Sequence, residues 1–338
     1  MMPPVNLKSL AQALNLSIAT VSRALQDSHE VSTATKERVR ALAAELNYQP
    51  NAYASSLRRN LSKTIGVVIP EVNNHFFSLA INGIEEMARQ HDFHVLIYLT
   101  HDDYAREVAI AQYLTGGRID GLLMSVASGS QNFAHLHKLQ ENKLPIVFFD
   151  RVCEEVSTAK VTTNDYESGF RATQHLLEAG CRYVAHLLVS DNLSIGRSRM
   201  QGYAAALQAH GLPYDEDLVL SGGNDQERNV ALIQELLACR PEIDGIFASV
   251  EHLAIASYHA CQRLGRRIPE QVKIIGFSNL EIAALLNPAL TTITQPAYDI
   301  GREAATILLR AVTRKKPTLP GQSLVLESVL FARASTAG

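Results

Sequence analysis

Long apolar runs are missing from this 338-residue chain: none approaches the roughly 20 residues that a membrane-spanning helix needs. The opening stretch, MMPPVNLKSL, has no basic segment followed by an apolar one, so no export signal is expected and the chain reads as cytoplasmic. Cysteine is scarce. Cys153, Cys181, Cys239 and Cys261 are widely spaced and form no CxxC pair, which argues against a disulfide frame or a zinc site. Catalytic signatures are absent as well, with no nucleophile elbow and no Walker loop. Gly116-Gly117-Arg118 precedes an apolar run instead of following one, so it is no dinucleotide fingerprint. Asn224-Asp225 reads as a turn, and Arg314-Lys315-Lys316 as a solvated one. His101-Asp102-Asp103 has no third ligand spaced to meet it, and a solvated loop is expected there. No enzyme activity, metal or cofactor is expected.

What is present is an uneven charge. Residues 1–63 carry eight Lys or Arg against four acids, whereas the remainder carries 23 against 30. A basic head on an acidic body points to a polyanionic partner for the head. The length suggests at least two domains, and a hydrophobic content of 46% is ordinary for a globular chain with a sizeable core.

Within the head, Leu7, Leu10, Ala11 and Leu14 share one side of a helix that Asn6 can cap. Ser17 sits where the N-cap of a second helix belongs. In that helix Val21 and Leu25 pack inward, while Ile18, Ala19, Ser22 and Arg23 fall largely on the other side. A third helix begins near Ser32. Its Val39, Leu42, Ala43 and Leu46 keep helical spacing, and Lys36, Arg38 and Arg40 face out. Two short helices around a tight turn, with a supporting third, make a helix-turn-helix. Arg23 is the one long donor of the second helix, suited to a guanine edge, and Ile18 and Ala19 can meet thymine methyls. Pro50 ends the third helix. Ala52–Arg59 can form one more short helix after Asn51, too weakly apolar to be stable alone, or can remain a plain linker.

The stretch LKSLAQALNLSIATVSRAL, followed by VSTATKERVRALAAELNYQPNAYASSLR, closely resembles the DNA-binding head of LacI/GalR-type bacterial repressors. The resemblance implies base reading by Ile18, Ala19 and Arg23, with Asn6, Leu7, Ser17, Thr20 and Ser22 on the same DNA-binding side. It implies a hinge helix bearing Asn51, Ala54, Leu57 and Arg58, with Leu57 wedged into the minor groove of a palindromic operator.

The body alternates strands and amphipathic helices. Residues 64–70, 93–100, 120–126 and 144–150 read as buried parallel strands, and 183–189, 243–249 and 272–277 as a second set. The same resemblance continues through IPEVNNHFFSLAINGIEEMARQ, PIVFFDR, RSRMQGYAAAL, IIGFSN and NPALTTITQP. It implies an all-α helix-turn-helix head plus an α/β periplasmic-binding-protein-like body of two doubly wound lobes. The expected bounds are 1–50 for the head, 51–63 for the hinge, 64–162 and 294–325 for lobe 1, and 163–293 and 326–338 for lobe 2. Ligands of such sheets sit at strand carboxyl ends. On the family pattern Asn74, Phe76, Phe77, Asp150, Arg151, Arg197, Val250, Ser278 and Gln295 line an effector cleft. Arg197, in the R-x-R-x-x-G spacing, is expected to grip the effector, with an interlobe salt bridge as its alternative. Where relatives read A-N-D and G-[FY]-D, this chain has Ser249-Val250-Glu251 and Gly276-Phe277-Ser278, and an aromatic platform gives way to Asn224. A pyranose remains the family default, but the lost acid and amide weaken it and favour a sugar phosphate, a sugar acid or a less hydroxylated effector more than in relatives. The cleft is expected to tolerate an anionic or partly apolar effector better than its sugar-binding relatives do. The expected partners are therefore a double-stranded DNA operator, a small-molecule effector and a second copy of the chain. No leucine heptad is present in VLESVLFARASTAG, so a dimer is expected.

The wedge role makes one expectation specific. Leu57→Ala lowers operator affinity in gel-shift titration while the dimer persists in analytical ultracentrifugation. Unchanged affinity on a palindromic operator would remove the wedge.

Overall fold

Each helix of the head begins at a side-chain cap. The Asn6 amide oxygen accepts the Ser9 N–H at 3.0 Å, and the Ser9 hydroxyl accepts the Asn6 N–H at 2.9 Å, a capping box for α1 (Leu7–Leu14). Ser17 Oγ accepts the Thr20 N–H at 3.0 Å to open α2 (Ile18–Leu25), and Ser32 plays the same part for α3 (Thr33–Glu45). Asn15, in the left-handed region at φ 54°, ends α1. Leu10, Val21, Ala24 and Val39 close the core between the three helices. Lys36 does not face out as expected. It lies half-buried against Asp27, with Nζ 3.1 Å from the carboxylate, and Arg40 meets the same oxygen at 2.8 Å. These contacts tie the turn after α2 to α3.

This computed structural model describes residues 6–48, 61–130, 132–314, 319 and 321–337, and it divides into two units, 1–62 and 63–338. The hinge residues Asn51, Ala54, Leu57 and Arg58 lie outside the described residues.

The second unit holds two six-stranded sheets. The chain first lays down β1 (Thr64–Ile69), α4 (His75–Gln90), β2 (His94–Leu99), α5 (Tyr104–Leu114), β3 (Gly121–Met124), α6 (Ala134–Glu141), β4 (Ile146–Phe149) and β5 (Ala159–Thr163). It then builds α7 (Asp165–Glu178), β6 (Val184–Leu188), α8 (Ser194–Ala209), β7 (Val219–Ser221), α9 (Gln226–Cys239), β8 (Gly245–Ala248), α10 (Glu251–Leu264), β9 (Lys273–Phe277) and β10 (Thr291–Thr294). Finally α11 (Ala297–Arg314) and β11 (Leu324–Leu326) return to the first lobe and β12 (Val329–Phe331) to the second. The first sheet runs β11-β5-β4-β3-β1-β2, parallel throughout. The second runs β12-β10-β9-β8-β6-β7, with only β12 antiparallel. Both sheets therefore reverse strand order beside their first strand, which opens a crevice at the carboxyl ends.

The lobe boundaries differ from the expected ones by one residue at each crossing: Thr163 and Leu326 belong to the first sheet and Thr294 to the second. A larger difference concerns β2, expected as a buried strand. It is an edge strand, and Leu96 and Ile97 are each 42% exposed. The alternation that would mark a one-sided strand is masked in HVLIYL by apolar residues on both faces.

Helices cross at glycines. A Cβ at Gly83 of α4 would lie 2.1 Å from the Tyr298 carbonyl of α11, and one at Gly202 of α8 would lie 2.2 Å from the Tyr166 carbonyl of α7. No side chain fits, so each lobe brings two backbones into direct contact.

Behind the second of these crossings, His186 on β6 is fully buried, stacked on Tyr203 at 5.0 Å and tilted against Phe247 at 4.6 Å. Neither ring nitrogen has a partner in hydrogen-bond geometry. Burial pushes the imidazole down to about 3. The unfolded chain therefore takes up a proton that the native state refuses. The stability held above about pH 6.5 drains away as the pH falls toward 3, at about 1.4 kcal/mol per pH unit. His186→Phe should flatten that slope: its melting temperature, read by scanning calorimetry, gains on the parent steadily from pH 7 to pH 5. A constant gap over that range would show that His186 is not the group titrating.

Candidate functional site

On the head, the exposed side of α2 carries Ser17, Ile18, Ala19 and Arg23, with Thr20 and Ser22 half-buried between them. Ile18 is 43% exposed, unusual for a large apolar side chain in a packed head. Arg23 reaches Glu30 at 3.2 Å, and both side chains remain more than half exposed. Asn6 and Ser17 spend their side chains on the caps. Leu7 turns its side chain onto the head core, which leaves its main chain, in the open first turn of α1, as what it can offer a phosphate. Exposed apolar atoms beside a long cationic donor suit the base edges of a major groove.

In the body, one cleft gathers residues from both lobes. Asn74, Phe76, Phe77, Asp150 and Arg151 line it from the first lobe; Val250 and Ser278 line it from the second, with Gln295 at the crossing. Asn74 caps α4 through the Phe76 N–H at 2.9 Å. The cap sets Phe76 and Phe77 edge to face, 5.3 Å apart, with Phe149 behind Phe77 at 6.4 Å. Asp150 leaves β4 with φ 59°, a left-handed turn that keeps its carboxylate inside. Gln295 donates to Thr163 Oγ1 at 3.1 Å, and its carbonyl accepts from Asn279 Nδ2 at 2.7 Å, so two interlobe crossings are tied together.

Arg197 is not among the cleft residues. It is exposed, and Nη1 donates to the carbonyl of Asn192 at 2.7 Å. The arginine at the cleft is Arg199. Residues two apart on a helix point to nearly opposite sides, and α8 begins at Ser194, so Ile195 and Arg199 face inward while Arg197 faces solvent. Arg199 Nε donates to Asp165 at 2.7 Å, Nη1 donates to the Ser249 carbonyl, and the guanidinium lies 3.7 Å over the Phe277 ring. Arg151 is likewise engaged: Nη1 donates to Asp102 at 2.8 Å. Asp102 is no solvated loop residue, for it also accepts from the Ser128 N–H and hydroxyl at 2.8 Å each. Arg151 Nε, 4.0 Å from Asp150, has no hydrogen-bond partner.

Glu251, which the sequence did not single out, reaches the cleft from the first turn of α10, and Ile195, Phe277 and Asn279 complete the wall. Asn224 is exposed and outside it. Arg151 is paired with Asp102 and Arg199 with Asp165, which leaves the carboxyl groups of Asp150 and Glu251 in excess of the two guanidiniums. Both guanidiniums are already on carboxylates, so an anion entering here would meet, beside those carboxylates, only the unbonded N–H at Arg151 Nε. A hydroxyl donor meets Asp150, whose carboxyl burial raises to about 6 against the pull of Arg151 and Arg199.

A helix-turn-helix head joined to a two-lobed α/β body with a polar cleft between the lobes defines a DNA-binding transcriptional regulator. Known proteins agree. Residues 6–51 match the family of bacterial regulatory proteins, lacI family, and residues 62–324 match the periplasmic binding proteins and sugar binding domain of the LacI family. The chain is 32% identical to the ribose operon repressor of Haemophilus influenzae, over 97% of this chain and 98% of that protein. It is also 32% identical to the HTH-type transcriptional repressor CytR of Escherichia coli, over 98% and 96%. Among solved structures, the transcriptional regulator CelR–cellobiose complex superposes with a TM-score of 0.74 at 29% identity, covering 98% of this chain and 99% of that one. The lac repressor dimer bound to operator and an anti-inducer shares the fold at TM-score 0.84 and 21% identity, covering 99% and 100%. The chain belongs to the LacI family.

The buried Asp150 yields a test. Its raised pKa means that the native state holds a proton longer than the unfolded chain, so stability falls as the pH climbs from about 4 to about 6. Asp150→Asn removes that loss, and its melting temperature should gain on the parent between pH 4 and pH 7, at about 1.4 kcal/mol per pH unit through the window. The same variant should bind effector more weakly at pH 7. Parallel stability profiles would place the titration elsewhere.

Proposed function

We propose that the protein is a cytoplasmic repressor. Two copies grip a palindromic operator through their α2 helices, and a small hydroxylated molecule in the interlobe cleft sets the affinity. The observation that carries this reading is the exposed α2 face, where Ile18, Ala19 and Arg23 stand out from a head whose other large apolar side chains mostly pack inward. Arg23 is the base-reading donor, and Glu30 holds its guanidinium when no guanine is present. Asp150 and Asn74 grip the effector from one lobe and Ser278 from the other, with Phe76 and Phe77 as the apolar wall. Arg199 supports the floor; Arg197 has no part in the grip.

Occupation of the cleft favours one lobe angle over another only to the extent that the effector binds one angle more tightly. Groups from both lobes supply that difference, because an effector touching Asp150 and Ser278 together requires them close. Exposed apolar side chains support the dimer: Leu96 and Ile97 on β2, Ile282 at 53% and Leu285 at 81% are a poor surface for a monomer. The cleft reads as a binding site, since its guanidiniums are engaged in ion pairs and the Ser278 hydroxyl is spent on fixing the Glu251 carboxylate.

The operator reading is tested with Arg23→Ala. The loss on the cognate operator should be about 1–3 kcal/mol, with specificity relaxed at one base pair per half-site. Gel-shift titrations on the operator, on single-base variants and on random DNA check this; an equal loss on all three would make Arg23 a phosphate contact.

A further inference from the structure

The second lobe lacks a carboxylate at position 278, yet it does not lack one at the cleft. Val250 caps α10 without a side-chain bond, and Glu251, in the first turn, folds its carboxylate into the cleft. Oε2 accepts the Ser278 hydroxyl at 3.1 Å and the Asn279 N–H at 3.3 Å. Oε1 faces Nδ1 of His75 at 3.1 Å, and His75 is the first residue of α4 in the opposite lobe. The Glu251 side chain is only 14% exposed, whereas that of His75 is 48% exposed. One carboxylate therefore has one oxygen fixed within its own lobe and the other on a partner from across the cleft that solvent can reach. Burial first raises the carboxyl of Glu71, three residues before Asn74 of the cleft, with Asp102 and Glu251 adding to the rise and Arg151 and His101 opposing it.

We propose that Glu251 is a specificity-determining residue of the cleft: it supplies the anionic acceptor that Ser278 lacks, and exchanges His75 for a hydroxyl of the effector. This rests on the cleft being the effector site. Ser278 then serves to fix Glu251, since its hydroxyl is donated to that carboxylate and its oxygen accepts the Leu280 N–H at 3.1 Å. The effector must present a neutral hydrogen-bond donor at this end. A phosphate or carboxylate there would face Glu251, with Glu71 and Asp102 close by, and would find both arginines already paired.

The test uses the full-length protein and isothermal titration with ribose, glucose, cellobiose and adenosine, beside ribose 5-phosphate, glucose 6-phosphate and gluconate. The parent should bind at least one neutral probe saturably, and its charged counterpart about tenfold more weakly or worse. Glu251→Gln keeps the shape but gives up the charge. It should bind the neutral probe about tenfold more weakly and lose most of the discrimination against the anion. Circular dichroism should remain as in the parent, which shows that the variant folds. Glu251→Asp, shorter but still charged, should keep the discrimination at reduced affinity. If Asp150→Asn loses the probe while Glu251→Gln matches the parent in affinity and discrimination, the cleft reading stands and the role of Glu251 falls. A parent that prefers the phosphorylated probe also overturns that role. Binding of no probe would remove the cleft reading and this inference with it.

Discussion

Arg199 is 2% exposed beneath the cleft, and a lone guanidinium at that depth would cost several kcal/mol, on the order of what removing one member of a buried pair costs. Asp165 makes its presence tolerable. The pair requires α7 and α8 to run closer than helices with side chains between them, and Gly169 and Gly202 allow it: a Cβ on Gly169 would lie 2.5 Å from the Arg199 carbonyl. Once paired, Arg199 fastens the end of β8 through the Ser249 carbonyl and lies flat on Phe277 at the end of β9. Two strand ends and two helices are thus held by one side chain, and Val250, Glu251 and Ser278 take their places from those strand ends.

The first lobe answers with a different device. Arg151 is tied to Asp102, and Asp102 to the Ser128 loop, so the far side of the cleft is braced from outside its own sheet. Both arginines are paired before any ligand enters, and the remaining carboxyl groups leave the cleft with hydrogen-bond acceptors to offer. The lobes meet through polar contacts, such as His75 with Glu251, and through Leu193 and Ile195, which pack on the core of the first lobe.

Much of this was legible in the sequence. The head helices, their caps and the inward residues follow from spacing and from Asn6, Ser17 and Ser32. Seven strands showed as dense apolar runs. The strands that escaped are short or hydroxyl-rich, such as AKVTT in β5, TTIT in β10 and the three-residue β7, β11 and β12. Their hydrogen bonds are supplied by neighbours distant in sequence, which no local pattern records. The choice between Arg197 and Arg199 depends on where α8 starts, and a shift of a few residues reverses which arginine points inward. Glu251 was hidden for a related reason: its partners, His75 and Ser278, come from elements far along the chain. Asp102 looked solvated because Arg151, 49 residues on, was not visible as its partner.

The return of the chain has a bearing on how the molecule is made. The first sheet takes its outer strand, β11, from residues 324–326, and the second takes β12 from 329–331, while α11 covers the first lobe at Gly83. Neither lobe is whole until residues 324–331 have left the ribosome. The nascent body must wait with both sheets open at one edge, and a truncation anywhere before α11 would uncover the two cores at once. Each lobe thus depends for one edge strand on a segment made more than 25 residues after its other strands.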